Sequence, residues 1–130
     1  YLSQATIKRT IDFFIKKKSI LCFPVYKKKI PYAYILRDKS KNFKDIIQTR
    51  ETNQKVKVGE SDCGFFVFQS KIIRRKLKFL IKKKLIITKK TKEIDFLKSF
   101  KFLNKLGRID TIKANSYKDT IGINYLEDLI

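Results

Sequence analysis

The sequence predicts an α+β fold, and three observations predict it. Apolar residues recur at helical spacing in three segments, and short runs rich in β-branched and aromatic residues separate those segments. Pro24 and Pro31 disfavour a continuous helix over residues 19–37 and point to strand edges or turns. With 130 residues, 43% of them apolar, the chain has the size of one domain with a modest core.

The first element is a helix that begins after Ser3, a residue type typical of an N-cap. Its apolar residues share one helix face and are Ile7, Ile11, Phe14 and Ile15. Lysines 16–18 follow at the C-terminal end, where positive charge is favourable against the helix dipole. We expect the apolar face to pack on a sheet.

Two strands follow, "SILCFPVY" (19–26) and "YAYILR" (32–37). We expect them to pair as a protruding β-hairpin arm with Lys27, Lys28 and Lys29 at its tip. From there to residue 62 the sequence is polar and irregular, which predicts a long loop that is ordered on binding.

The second half repeats the alternation. "CGFFVFQ" (63–69) predicts a buried central strand, and Ser70 is a candidate cap for a second helix with a one-faced apolar pattern. "LIIT" (85–88) predicts another strand, and residues 91–107 predict a third helix that Gly107 ends.

This order of elements predicts a split βαβ, ferredoxin-like sandwich with two helices on a four-stranded sheet. The segments after Tyr1 supply this arrangement without its first strand, and a strand before Tyr1 would complete it. Residues 1–89 then form the domain, with the arm and loop at about 22–62. Residues 90–130 form a C-terminal helical extension.

Charge is the strongest compositional signal. Thirty-two Lys and Arg against 12 Asp and Glu give a net charge of +20. Such a chain repels itself, which implies a polyanionic partner, and nucleic acid supplies a regular row of phosphates. We prefer nucleic acid to an anionic membrane because the charge is spread along the whole chain rather than along one amphipathic helix. No apolar run approaches the ~20 residues of a membrane span.

Candidate binding residues combine cations with aromatic rings. Lys27 to Lys29 offer point charges to phosphates, and Tyr32 and Tyr34 project from one strand face, where they can stack on unpaired bases. The alternative is that the tyrosines pack at an edge of the core and that the cationic side chains are simply exposed to solvent, with no binding role. The full candidate set is Lys27, Lys28, Lys29, Tyr32, Tyr34, Arg37, Lys39, Lys41, Lys44, Arg50, Arg74 and Arg75.

Catalytic chemistry has little support. "SDCGFFVF" (61–68) resembles the nucleophile box of SUMO-type and adenoviral cysteine proteases, but the chain has no histidine to accept the thiol proton. The acidic residues form no close pair, and four glycines support no phosphate-binding loop. We therefore expect no enzyme activity, cofactor, metal or small-molecule substrate. A catalytically dead or partial cysteine protease built around Cys63 is the remaining alternative, and it predicts a helix that begins at Cys63, where we predict a strand.

Several segments resemble one family. "LSQATIKRTIDFF" (2–14) and "CFPVYKKKIPYAYIL" (22–36) are similar to the first helix and the proline-bearing basic arm of small-subunit ribosomal protein ten, an RNA-binding component of the ribosome's head. "NFKDIIQTRETNQ" (42–54) resembles the following loop, and residues 65–88 match by pattern. Residues 37–39 are Arg, Asp and Lys, where the family commonly has Ser, Pro and His, and residues 90–130 have no counterpart.

The resemblance implies a structural constituent of the small ribosomal subunit whose arm threads between rRNA helices. Its partners would be small-subunit rRNA and neighbouring head proteins. A lysine-enriched, extended member suits a mitochondrial ribosome, and a plastid is the second choice. The alternative reading is a free-standing RNA- or DNA-binding module outside the ribosome.

Overall fold

A computed structural model of the protein describes residues 2–52 and 55–121. The predicted α+β class is confirmed: a mixed four-stranded sheet and a two-stranded sheet combine with helices, an arrangement consistent with a ferredoxin-like sandwich. The regular elements are α1 (Gln4–Lys17), β1 (Leu21–Lys29), β2 (Ala33–Arg37), β3 (Phe43–Gln48), β4 (Val58–Asp62), β5 (Val67–Phe68), α2 (Ser70–Lys82), α3 (Phe100–Leu103) and β6 (Ile109–Lys113). Short 3₁₀ turns cover Thr49–Glu51, Leu97–Ser99 and Tyr117–Thr120.

Strand β1 is the centre of the larger sheet. It pairs antiparallel with β4 and β5 on one side and parallel with β6 on the other. Because strand side chains alternate, Leu21, Phe23 and Val25 point to one face and Cys22 and Pro24 to the other. All five are buried, so both faces of β1 are covered.

The predicted hairpin between β1 and the next strand is wrong. β1 continues through the lysines to Lys29 and pairs with β4, while β2 pairs with β3. The chain turns away at Ile30, whose φ of 48° is left-handed, and the next residue is a proline, which has no N–H to continue the ladder.

The predicted loop over 38–62 is also wrong, because it contains β3 and β4. A tight turn closes the β2–β3 hairpin: one carboxylate oxygen of Asp38 accepts the N–H groups of Ser40 and Asn42. Phe43 and Ile46 of β3 point into the core and are buried. Phe43 and Ile46 are three positions apart in a polar segment, so the sequence shows no alternation of apolar residues that would predict a strand here.

The core joins the two sheets around a phenylalanine cluster. Phe100 lies 5.5 Å from Phe23, 6.2 Å from Phe43 and 5.0 Å from Phe96, measured between ring centroids, in tilted or edge-to-face geometry. Ile73 of α2 belongs to the same buried cluster. Deleting the Phe100 ring would leave a cavity shared by both sheets.

Helix α1 buries a different face from the predicted one. Ser3 is its N-cap as predicted, because the side chain accepts the N–H of Thr6. The buried positions, however, are Thr6 and Thr10, whereas Ile11 is exposed and Ile15 is 67% exposed. Both threonine hydroxyls are hydrogen-bonded, Thr10 to the Thr6 carbonyl at 2.7 Å, so the polar face can be buried.

The stretch 63–69 holds only the two-residue strand β5, at an edge of β1 rather than in a buried centre. No helix begins at Cys63. Helix α2 begins at Ser70, which is its first residue; Gln69 occupies the cap position.

Residues 85–107 are less regular than predicted. The strand predicted at 85–88 is reduced to one bridge between Ile87 and Ile94, and helical structure is confined to residues 97–103. Strand β6 was not predicted. Because Phe100, Leu103 and Ile109 are buried in the core, the described part of residues 90–130 shares the core of residues 1–89.

A buried carboxylate fastens the C-terminal turn to α1. Asp119 is 2% exposed and accepts the Ser3 N–H at 2.6 Å, the Thr6 hydroxyl at 2.8 Å and the Ser116 N–H at 3.3 Å. Burial alone would raise the pKa of Asp119, but these hydrogen bonds together hold that pKa below its ordinary value. One ionised side chain thus joins two segments more than 100 residues apart.

We expect Asp119→Asn to lower the free energy of unfolding at pH 7 by about 1–3 kcal/mol, because an amide group must face N–H donors. Since the folded-state pKa is lowered, the carboxylate stabilises the fold above its unfolded pKa and loses that effect as pH falls through the folded pKa. The difference between wild type and variant should therefore shrink below about pH 4. Denaturant unfolding at several pH values measures it.

Asp12→Asn is the matched control. Asp12 is exposed and lies 3.8 Å from Lys8 in a surface i,i+4 pair, so its loss should cost at most about 0.5 kcal/mol. Equal effects of the two substitutions would contradict the anchoring role of Asp119.

Candidate nucleic-acid interface

The C-terminal half of β1 carries cations out of the core. Val25 is buried, whereas Lys27 and Lys29, on the same strand face, are exposed. Next comes Ile30, a β-branched residue in the left-handed region and 79% exposed. Because such a conformation is strained for isoleucine, the surrounding structure must hold it in place.

Two backbone contacts hold this turn. The Ile30 N–H donates to the Lys57 carbonyl at 2.9 Å, and the Tyr32 carbonyl accepts the Thr49 N–H at 2.8 Å. Pro31 is fully buried between them. The turn is therefore fixed by its backbone and by one buried ring, and the side chains on either side of Pro31 point outward.

The result is an exposed surface that we name the tip surface. Tyr32 is 74% exposed, and Val58, which pairs with Lys29 across β1 and β4, is also exposed. The tip surface comprises Lys27, Lys29, Ile30, Tyr32, Lys57 and Val58. It thus combines one tyrosine and two aliphatic side chains with three cations. Arg50, a predicted binding residue, lies instead with Asp62, Phe66 and Glu93 around a separate cavity.

The cations of the tip surface lack carboxylate partners within 4 Å among the described residues. The ion pairs in that part of the chain are Lys8 with Asp12, Arg37 with Glu60, and Arg108 with Asp110. Lys27 lies opposite Glu60 across β1 and β4, and its charge contributes to the lowered pKa of Glu60. The remaining positive charge of the tip surface is balanced by solvent ions, which an approaching polyanion can replace.

Tyr34 does not belong to this surface. It is only 7% exposed, and a Cβ atom at Gly59 would lie 3.0 Å from the Tyr34 Cβ. Tyr34 therefore packs against β4. The prediction that Tyr32 and Tyr34 both stack on bases is wrong. The cause is the changed strand pairing, which turns Tyr34 inward and leaves Tyr32 outside the strand.

Arg37 is engaged within the protein. Its guanidinium donates to both carboxylate oxygens of Glu60, at 2.7 and 2.9 Å, and to the Thr111 hydroxyl at 2.8 Å. The hydrogen bond with Glu60 raises the pKa of Arg37, and the same bond lowers the pKa of Glu60. Arg37 ties β2 to β4 and β6, which leaves it poorly placed to bind phosphate.

The other predicted cations lie elsewhere. Lys39, Lys41 and Lys44 are exposed at the far end of the β2–β3 hairpin, since Tyr32 precedes the opposite end. Lys28 is half-buried and points to the other face of β1. Arg74 and Arg75 are exposed on α2. The described contacts bring none of these to the tip surface.

Cys63 has the wrong environment for a nucleophile. Burial, together with the negative charges of Asp62 and Asp119, raises the pKa of Cys63 to about 12. A cysteine nucleophile reacts as the thiolate, which this site disfavours near neutral pH. Among residues 2–52 and 55–121, moreover, no cluster of three or more acidic or cysteine side chains could hold a metal.

Sequence reasoning missed Ile30, Lys57 and Val58 as site residues. Ile30 precedes a proline, which indicates a turn but not its exposure. Lys57 and Val58 lie in a segment whose polar composition predicts a loop, although the alternation of Val56 and Val58 is a weak strand signal. Only the pairing of β1 with β4 places them beside Lys29.

Comparison with known proteins identifies no relative: no protein-family model and no curated protein matches the chain. In the part of the chain that the structure describes, no helix is both long and apolar enough to cross a bilayer.

Proposed function

We propose that this protein is a structural, rRNA-binding constituent of a small ribosomal subunit, in the head of the particle and alongside neighbouring head proteins. A mitochondrial ribosome is the first choice and a plastid ribosome the second. Two features support the proposal: the net charge of +20 and the resemblance of residues 2–36 to small-subunit ribosomal protein ten.

The observation that carries the proposal is the composition of the tip surface. An exposed tyrosine beside exposed cations matches the chemistry of single-stranded RNA, whose bases stack on aromatic rings while its phosphates contact cations. Stacking on Tyr32 is worth about 1–3 kcal/mol per base. Lys27, Lys29 and Lys57 supply compact point charges that fix position without reading sequence.

The proposed mode of RNA binding differs from the one expected from the sequence, in which a protruding arm would contact the RNA. The lysines lie at the end of a sheet strand rather than on a separate hairpin, so RNA would lie against a preformed edge of the domain. A preformed surface spares the ordering entropy that a flexible arm would lose on binding.

A free-standing RNA-binding module is the second candidate. One observation favours it: β1, β6 and the phenylalanine cluster give the described chain a core of its own, which a module acting outside the ribosome requires. The two candidates share the tip surface and differ in the RNA that is bound.

We expect replacement of Lys27, Lys29 and Lys57 by Gln to weaken binding to single-stranded RNA about tenfold or more at low salt. Each lost phosphate contact should lower the slope of log affinity against log salt by about 0.7, so the triple variant should lose about 2 units of slope. Fluorescence anisotropy with an unstructured oligonucleotide measures both quantities.

Replacement of Lys16, Lys17 and Lys18 by Gln is the control, because it removes the same charge from the exposed C-terminal end of α1. If both variants lose the same affinity and slope, binding reflects net charge alone, and the tip surface has no special role.

Ribosomal function makes a separate prediction. RNA crosslinked to the protein in its native cells or organelles should be small-subunit rRNA, recovered as a few discrete segments when the attached fragments are sequenced. A broad mixture of transcripts with no rRNA enrichment would exclude the ribosomal role and leave the free-standing module.

A further inference from the structure

An open groove of about 610 Å³ runs along one flank of helix α2, and we name it the α2 groove. Its floor is apolar and is formed by Ile72, Phe79 and Leu106, each 39–48% exposed. Leu106 follows α3 in the chain, so the groove lies between α2 and the turn that leads into β6. The α2 groove shares no residue with the tip surface.

The length of the floor suits another helix. Ile72 and Phe79 are seven residues apart in α2, which places them on one stripe of that helix, about 10 Å apart along its axis. An amphipathic helix that binds in a groove uses the same spacing, with apolar anchors at i, i+3, i+4 and i+7. The floor therefore offers about two turns of apolar contact to a helix packed alongside α2.

All charged side chains that line the α2 groove are cationic, namely Lys71, Arg75 and Lys76. None of them has a carboxylate within 4 Å among the described residues, whose ion pairs lie elsewhere. The Lys76 ammonium lies 5.0 Å from the centroid of the Phe79 ring, so positive charge stands directly beside the apolar floor. A complementary occupant combines apolar side chains with carboxylates.

Nucleic acid matches the α2 groove poorly. Its phosphates would satisfy the cations but would leave the apolar floor in contact with water. The described lining residues carry no side-chain acceptor for the N–H groups of bases, and Lys76 stands beside the Phe79 ring. Binding at this groove therefore differs in kind from binding at the tip surface.

A membrane surface also matches poorly. A helix that lies on a bilayer turns its apolar side chains outward, toward the lipid. In α2, the fully buried Ile73 and Leu80 mark the inner side of the helix. Lys71, Lys78 and Lys82 each lie two residues from one of these, so they point to nearly the opposite side. The outermost side of α2 is thus cationic, and its apolar floor lies on the flank.

We propose that the α2 groove binds an acidic amphipathic helix of a partner protein. The apolar side chains of that helix pack on Ile72, Phe79 and Leu106, and its carboxylates lie beside the bordering cations. Binding removes apolar surface from water and neutralises part of the charge of a chain that carries +20. The inference does not rest on the RNA-binding proposal, and the two can fail separately because their surfaces share no residue.

NMR titration of the full 130-residue chain with synthetic peptides tests the proposal. The probe is a helix-forming peptide of about 15 residues, with leucines at helical spacing and glutamates beside them. It should shift the resonances of Ile72, Phe79 and Leu106 until they saturate and should leave that of Tyr32 unmoved. Control peptides with lysines for the glutamates, or serines for the leucines, should bind at least about tenfold more weakly.

Two matched pairs of variants locate the binding site. Ile72→Ser should weaken binding of the acidic peptide about tenfold, whereas Ile81→Ser makes the same exchange outside the groove, at 37% exposure against 39%. Arg75→Gln should weaken binding about two- to fivefold. Arg74→Gln removes the neighbouring exposed cation, which does not line the groove, and should leave binding unchanged. Unmoved β1 resonances show that each variant keeps its fold.

Any of three results would overturn the proposal. Equal weakening by Ile72→Ser and Ile81→Ser would mean that the peptide does not bind in the groove. Groove resonances that change with protein concentration alone would assign the groove to a second copy of the chain. Groove resonances that respond to oligouridylate or to phosphatidylserine vesicles, but not to the acidic peptide, would assign it to RNA or to a membrane.

Discussion

Strand β1 is the element on which the rest of the structure depends. Its first five residues are buried on both faces and all pair with β6 on one edge, while Leu21, Cys22 and Val25 also pair with β5 or β4 on the other. It therefore fixes β4, β5 and β6 in a single sheet. Its last residues carry lysines beyond the core while they remain paired with β4. The same strand therefore builds the core and presents the cations, and their positions relative to Tyr32 are set by the sheet register rather than by a flexible arm.

Two charged side chains, the buried Asp119 and the half-buried Arg37, join elements at the edges of this sheet. Asp119 collects hydrogen bonds from Ser3 and Thr6, and Arg37 joins Glu60 to Thr111. Both contacts keep a charged side chain satisfied where burial would otherwise be unfavourable. Because these charges are used internally, they are distinct from the exposed lysines, whose mutual repulsion is relieved only by counterions or by a polyanion.

The sequence predicted what depends on local pattern and missed what depends on pairing. The fold class and α1 with its Ser3 cap follow from periodicity and capping. Periodicity also predicts α2, although Gln69 rather than Ser70 occupies its cap position. The strand that pairs with β1 cannot be predicted in this way, because β3 and β4 lie in residues 38–62, where the sequence is polar and irregular. The same limit applies to the site: exposed Lys27, Lys29 and Tyr32 were found, whereas burial of Tyr34 and the ion pair of Arg37 follow only from tertiary contacts.

Photocrosslinking of the RNA-bound protein, followed by mass spectrometry of its tryptic peptides, tests the central claim most directly. The account predicts that nucleotides are attached to the peptide of residues 30–37, "IPYAYILR", at Tyr32. Residues 114–118, "ANSYK", contain the exposed Tyr117 and should carry few. Nucleotides spread equally over both peptides, or absent from residues 30–37, would contradict binding of RNA at the end of β1.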